Sequence, residues 1–187
     1  DLVRQVWPQI DGQKRLETVN RLVEMAEETV DLDFTTVFKI ALRDDVEEVR
    51  QKAVLGLWEC EERHLITVFI NLLRADPSMR VRSAVALALG NFAALAEDGK
   101  LLPKDYGRIK ESLVSVIEDS GEPAEVRRRA LEAVSAMSDE DVIRVADLKS
   151  RASRTQRSLM PRSFPSTNQN CSPSDHTVMD SRLFQSD

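Results

Sequence analysis

Aromatic residues make up only 5% of this 187-residue chain, and there are six glycines, seven prolines, two cysteines and two histidines. Each shortage excludes something. So few glycines and prolines leave little turn material for a many-stranded sandwich or barrel, which needs a turn every 8–12 residues or so. Two cysteines, Cys60 in an apolar-periodic run and Cys171 in a polar one, form no disulfide framework. Two histidines, one of them near the C-terminus at His176, are too few for a His-rich metal centre. Positive charge is also short. The formal net charge is −6 with an isoelectric point near 5.1, whereas a nucleic-acid footprint needs a basic face. No run of 18 apolar residues and no charged-then-apolar leader is present, so neither a membrane span nor a signal segment is indicated. These absences fit a reducing, cytoplasmic setting.

What is abundant is Ala, Leu, Val, Glu and Arg, the composition of an all-helical protein. Asp11 is placed to cap a long helix to about residue 30, with Leu16, Val19, Leu22, Val23 and Ala26 on one face. Asp33 opens a short helix burying Phe34, Val37, Phe38, Ala41 and Leu42, and Asp44 is placed to cap the next. Residues 65–73 form another apolar helix. Asp76-Pro77 reads as an N-cap followed by a proline at the first helical position, leading a helix to about residue 96. A helix over about 105–118 and a turn at Ser120-Gly121-Glu122-Pro123 come next, and Ser138 is placed to cap a last helix over about 139–147.

Beyond residue 149 the character changes. Residues 1–149 hold 21 Lys/Arg and 29 Asp/Glu, and residues 150–187 hold five and three, with nine serines and little periodicity. Such a segment buries too little apolar area to offset its ordering entropy, so the expected division is a helical domain over 1–149 and a disordered tail over 150–187. The opening at Asp1 in mid-helix and the abrupt shift near Asp147 suggest an excerpt of a longer protein, with the tail arising from a change of reading frame or as a variant terminus.

Three strings repeat: "VRQKAVLGLW" from Val49, "VRSAVALALG" from Val81 and "VRRRALEAVS" from Val126. Counting from each Val, position 4 holds Ala53, Val85 and Ala130, position 7 holds Gly56, Ala88 and Ala133, and position 8 holds Leu57, Leu89 and Val134. Positions 0, 4, 7 and 8 share one helical face. Small residues at the middle of that face let a second helix approach closely. Spacings of 32 and 45 residues suit stacked helical hairpins.

With its three segments "DDVEEVRQKAVLGLWE", "DPSMRVRSAVALALG" and "GEPAEVRRRALEAVS", the chain resembles the HEAT-repeat family over about residues 11–147. The resemblance implies an all-α fold, an α-solenoid of three to four antiparallel hairpins. It implies that the second helix of each lines a concave surface, and that the turn Asp and helix Arg form a ladder between neighbours. Asp44 with Arg50 and Asp76 with Arg82 stand in those places; Gly121 replaces the third Asp, leaving that rung open.

Little here suggests catalysis, a cofactor or a metal. Cys60 and His64 share a face only if one helix carries both, and two further ligands are missing. Glu47-Glu48, Glu59-Glu61-Glu62 and Asp139-Glu140-Asp141 are most simply helix-end charges, and Trp7 and Trp58 are packing residues at helix ends. The family is mostly scaffolds, so the expected function is non-catalytic binding of a protein or peptide on the concave face. Gln51, Leu55, Ser83, Leu87, Arg128 and Glu132 are the candidate contacts. Two rivals are a lyase-type relative that holds a pigment and a nucleic-acid binder using a basic end over 127–157, both known among HEAT-like proteins.

Overall fold

A computed structural model describes residues 2–29, 32–135 and 137. Eight α-helices and no strand occur among them: α1 (Leu2–Val6), α2 (Gly12–Glu28), α3 (Thr35–Ala41), α4 (Glu47–Gly56), α5 (His64–Ala75), α6 (Met79–Glu97), α7 (Pro103–Glu118) and α8 (Ala124–Ser135). A single 3-10 turn, Trp7–Gln9, follows α1 where Pro8 forbids its continuation. The helix expected over 139–147 and the tail over 150–187 lie outside the described residues.

Helices α2, α4, α6 and α8 pack side by side as one layer, and α3, α5 and α7 cover it from behind. Each hairpin joins a covering helix to a layer helix, which is the α-solenoid expected from the repeat. Tight packing follows from the small residues. A Cβ on Gly56 would lie 2.5 Å from the Phe38 ring, and one on Gly90 would lie 2.9 Å from Ala133 Cβ. Gly56 thus lets the two helices of one hairpin, α3 and α4, close, and Gly90 with Ala133 lets the neighbouring layer helices α6 and α8 close, which no Leu at those glycines would permit. Phe69 and Phe92 meet edge to face with centroids 6.0 Å apart at the α5/α6 centre.

At 19 residues, α6 is long and apolar enough to cross a membrane by length and composition. Ten of its residues are buried among neighbouring helices, from Val81 to Ala93, so its apolar character is spent on the core.

Between hairpins runs a ladder of guanidinium groups. Arg50 Nε and Nη2 donate to Asp76 Oδ2 and Oδ1 at 2.8 and 2.9 Å, while Nη1 donates to the Asp44 carbonyl at 2.9 Å. Arg82 repeats this geometry, with Nε to Glu122 Oε1 at 2.7 Å and Nη1 to the Asp76 carbonyl. Each arginine therefore ties the carbonyl of its own turn to the carboxylate of the next turn. Glu122 fills the rung that Gly121 left open. One rung precedes those expected: Arg15 Nη2 donates to Asp44 Oδ1 at 3.1 Å, and Arg15 Nη1 to the Ile10 carbonyl at 2.7 Å. Its Nε lies 2.9 Å from Asp44 Oδ2 but off the line of its own N–H, an ion-pair contact without a hydrogen bond.

The ladder changes two helix starts. Asp44 accepts from the Val46 N–H at 2.9 Å but is not the cap residue of α4, which is Val46. Asp76 accepts from the Ser78 N–H at 2.9 Å, and α6 begins at Met79 after Ser78, leaving Pro77 outside the helix. Both aspartates are held in the turn by the arginine of the preceding hairpin, so the helix starts two residues later. Burial pushes the Asp44 carboxyl up, and the bonds from Val46, Trp7 and Arg15 outweigh that, holding it below the usual carboxylate range.

A second set of ties on the covering layer joins α5 to α7. Arg63 Nε and Nη2 both reach the buried Asp105 Oδ2, at 2.9 and 2.6 Å, and Arg108 Nη2 donates to Thr67 Oγ1 at 3.0 Å. No repeat pattern announces this pair, because Arg63 stands in a loop and Asp105 inside a helix.

Candidate partner-binding face

The free side of the α2–α4–α6–α8 layer is built by residues two and six places after each motif Val. On α4 these are Gln51 and Leu55; on α6 they are the half-buried Leu87 and Ser83, which stands on the same line but is buried by its neighbours, a correction to its expected place on the surface. A period of 3.6 puts positions 2 and 6 on one line along the helix, away from the buried positions 0, 4 and 8. All four line one depression of about 260 Å³, completed by Met79, Arg80, Ala84, Glu125 and Arg129. Leu55 is 38% exposed and Met79 48% exposed, and both stand outside the core.

The other two candidates are not brought there. Arg128 is held to its own helix by Glu125, which accepts from Nε at 2.9 Å and Nη2 at 2.7 Å. Glu132 accepts from Arg129 Nη1 at 3.0 Å. Arg129 and Glu125 face the depression instead, one helical step round from the positions used on α4 and α6. The hydrogen bond with Arg128 holds the Glu125 carboxyl below its ordinary value, and the same bond raises Arg128. The Arg127-Arg128-Arg129 run is thus largely matched by carboxylates on its own helix; the tail arginines of the basic-end reading lie outside the described residues.

Next to this depression, between α2 and α4, is another of about 480 Å³, lined by Val23, Ala26, Glu27, Lys52, Leu55, Gly56, Trp58 and Glu59. Leu55 belongs to both, so the two form one continuous surface across α2, α4 and α6. Trp58 is 46% exposed, which corrects its assignment to packing: α4 ends at Gly56, and the turn after it carries the indole outward. Trp7 does pack, at 6% exposure, and its Nε1 donates to Asp44 Oδ2 at 2.7 Å. Met79, Arg80, Trp58 and Arg129 were missed by the sequence reading. Only Trp58 carried a signal, as an aromatic just past the end of a repeat helix.

A charged rim surrounds the apolar stretch. Arg80 Nη1 lies 3.9 and 3.7 Å from Glu47 and Glu48 of the preceding layer helix, pairs that are exposed and contribute at most about 1 kcal/mol each. The chemistry available here is contact and solvation. Cys60 sits in the loop after α4 and His64 opens α5, so one helix does not carry both; His64 Nδ1 lies 3.0 Å from Glu62 Oε2. Among the described residues no three His, Cys, Asp or Glu side chains gather as a metal site requires.

A family model described as HEAT repeats matches residues 35–103, the stretch from the start of α3 to the start of α7 that holds two whole hairpins and two of the three ladder rungs' arginines. No curated protein and no solved structure matches the chain. Repeats of this family commonly act as protein-interaction scaffolds and are generally non-catalytic. Residues 35–103 thus match the HEAT-repeat family, and the helical hairpins and guanidinium ladder of the described residues have the form of an α-solenoid.

Proposed function

We propose that this protein is a non-catalytic scaffold that binds an apolar segment of a protein partner along the free face of its α2–α4–α6–α8 layer, in the cytoplasm. The observation that carries the reading is the continuous apolar surface through Leu55, with Trp58, Leu87 and Met79 exposed or half-exposed beside it. These side chains contribute nothing to the core, and a rigid layer of four helices holds them without further ordering cost. Trp58 is the residue type most often dominant in such contacts. Glu27, Lys52 and Glu59 beside it, with Arg80 and Arg129 in the adjoining depression, form a mixed polar rim, which favours a polypeptide over a polyanion.

Photocrosslinking tests this. p-Benzoylphenylalanine placed at Gln51 and at Leu87 is expected to form adducts with the same partner, and the same group at the exposed Glu111 on α7 of the covering layer to form none. Leu55→Asp is expected to abolish the adducts while leaving helix content unchanged. Adducts equally frequent from Glu111, or insensitive to Leu55→Asp, would refute the reading.

A further inference from the structure

On the opposite side of the molecule, a cleft of about 360 Å³ opens where α1 and the 3-10 turn meet α3 and α5. Its wall is apolar: Trp7, Pro8, Ile40, Leu42, Leu65 and Val68. Every ionisable side chain lining it is a cation or an imidazole, namely Arg4, Lys39, Arg43 and His64. In a chain of net charge −6 this is a local reversal of sign. Glu62 pairs with Lys39 and with His64 but does not itself line the cleft. Arg4 and Arg43 are exposed and form no ion pair among the described residues, unlike Arg15, Arg50 and Arg82, which are spent on the ladder.

Beyond Arg43 the cleft continues into a second depression of about 480 Å³. The two share Leu42, Arg43 and Val68, and the extension adds Asn71, Leu72, Ala75 and Pro77. The cation of Arg50 at its floor is neutralised by Asp76, so the extension carries no free charge except Arg43. The whole is an elongated apolar groove with its positive charge gathered at one end and an amide, Asn71, along its length.

We propose that this groove docks an extended peptide segment of a partner in which a large apolar side chain is flanked by Asp or Glu. The apolar residue fills the space against Trp7, Ile40 and Leu65, and the carboxylates meet Arg4 and Arg43, with Lys39 and His64 alongside. Charge complementarity selects the occupant. Two unpaired guanidinium groups match two carboxylates as planar forks, and the extension, with no free charge beyond Arg43, offers nothing to the regular phosphates of a nucleic acid. This groove is distinct from the face through Leu55, so the two docking readings stand or fall separately.

The probe is an acetylated, amidated octapeptide of alternating Glu and Leu, with the alternating Lys and Leu peptide as control. Titration by calorimetry and by tryptophan emission of the Trp58→Phe protein, in which Trp7 is the only tryptophan left, reports binding at the groove. The acidic peptide is expected to bind and to shift Trp7 emission, and the basic one to do neither. The double variant Arg4→Glu, Arg43→Glu is expected to weaken binding at least tenfold, since neither side chain supports the fold. Raising salt from 50 to 500 mM is expected to weaken it as well, and Leu55→Asp to leave it unchanged. No binding of the acidic peptide at millimolar concentration, equal binding of the two peptides, or indifference to the double reversal would overturn the proposal.

Discussion

Replacing Arg50 by Met isolates what the ladder contributes. The thioether keeps the aliphatic stem of the arginine and removes its charge and donors. Four hydrogen bonds disappear: two to Asp76 at 2.8 and 2.9 Å, and two to the carbonyls of Asp44 and Asp45 at 2.9 and 3.1 Å. The side chain of Asp76 is only 3% exposed. Without the guanidinium it is a buried carboxylate with a single remaining donor, the Ser78 N–H. Breaking a buried pair from one side costs about 3–5 kcal/mol, because the other charge is left uncompensated. An exposed pair such as Arg21–Glu24, with both side chains about 60% exposed, contributes about 0–1 kcal/mol by contrast. The loss acts between hairpins, since Asp76 belongs to the turn of the next hairpin, between α5 and α6. In a molecule stabilised by nearest-neighbour contacts, weakening one junction lets its two sides unfold apart. Urea unfolding followed by circular dichroism at 222 nm is therefore expected to show a lower midpoint and a broader transition for Arg50→Met. Asp76→Asn keeps the cap to Ser78 and completes a double-mutant cycle, with an expected coupling of about 2 kcal/mol or more. A loss below about 1 kcal/mol with an unchanged slope would show that the ladder orders the turns without holding the hairpins together.

Gly56→Ala gains about 1 kcal/mol of helix propensity but sets a Cβ 2.5 Å from the Phe38 ring. Overpacking of that kind costs about 1–3 kcal/mol or more, so a lower thermal midpoint is expected, and a raised one would refute the close approach of α3 and α4. Ser83→Ala removes a buried hydroxyl that has no hydrogen-bond partner and is expected to be neutral or stabilising by up to about 1 kcal/mol in the same urea assay. Asp44 has a folded pKa below its ordinary 3.8, so its contribution to stability is complete above pH 3.8 and is lost as pH falls through the lower folded value. The stability difference between the protein and Asp44→Asn is expected to be constant from pH 7 to pH 5 and to shrink in the acid limb. A difference that grows on acidification would contradict the assignment.

How much of this was legible in the sequence depends on range. Helix positions and the burial of Val49, Val81 and Val126 follow from a 3.6-residue period, a local property of the chain. The small residues at the seventh position announced close packing, and Gly56 against Phe38 and Ala133 against Gly90 are its form. Helix starts were legible only to within two residues. Asp44 and Asp76 have the chemistry of caps, and an arginine some 26 or 29 residues earlier in the chain decides where they are held.

By itself the sequence determined an all-helical chain of repeated hairpins whose layer helices have one small-residue seam and one line through Gln51, Leu55 and Leu87 opposite it. Those are consequences of side-chain size and helical period, which neighbours do not alter. Tertiary structure decided which charges are available. Arg50, Arg82 and Arg128 are indistinguishable from Arg4 and Arg43 as letters, yet the first three are tied to Asp76, Glu122 and Glu125 and the last two are not. It also decided that Trp58 faces outward while Trp7 faces in. Pairing of charges and exposure of aromatics depend on groups brought together from distant parts of the chain, and packing alone brings them together.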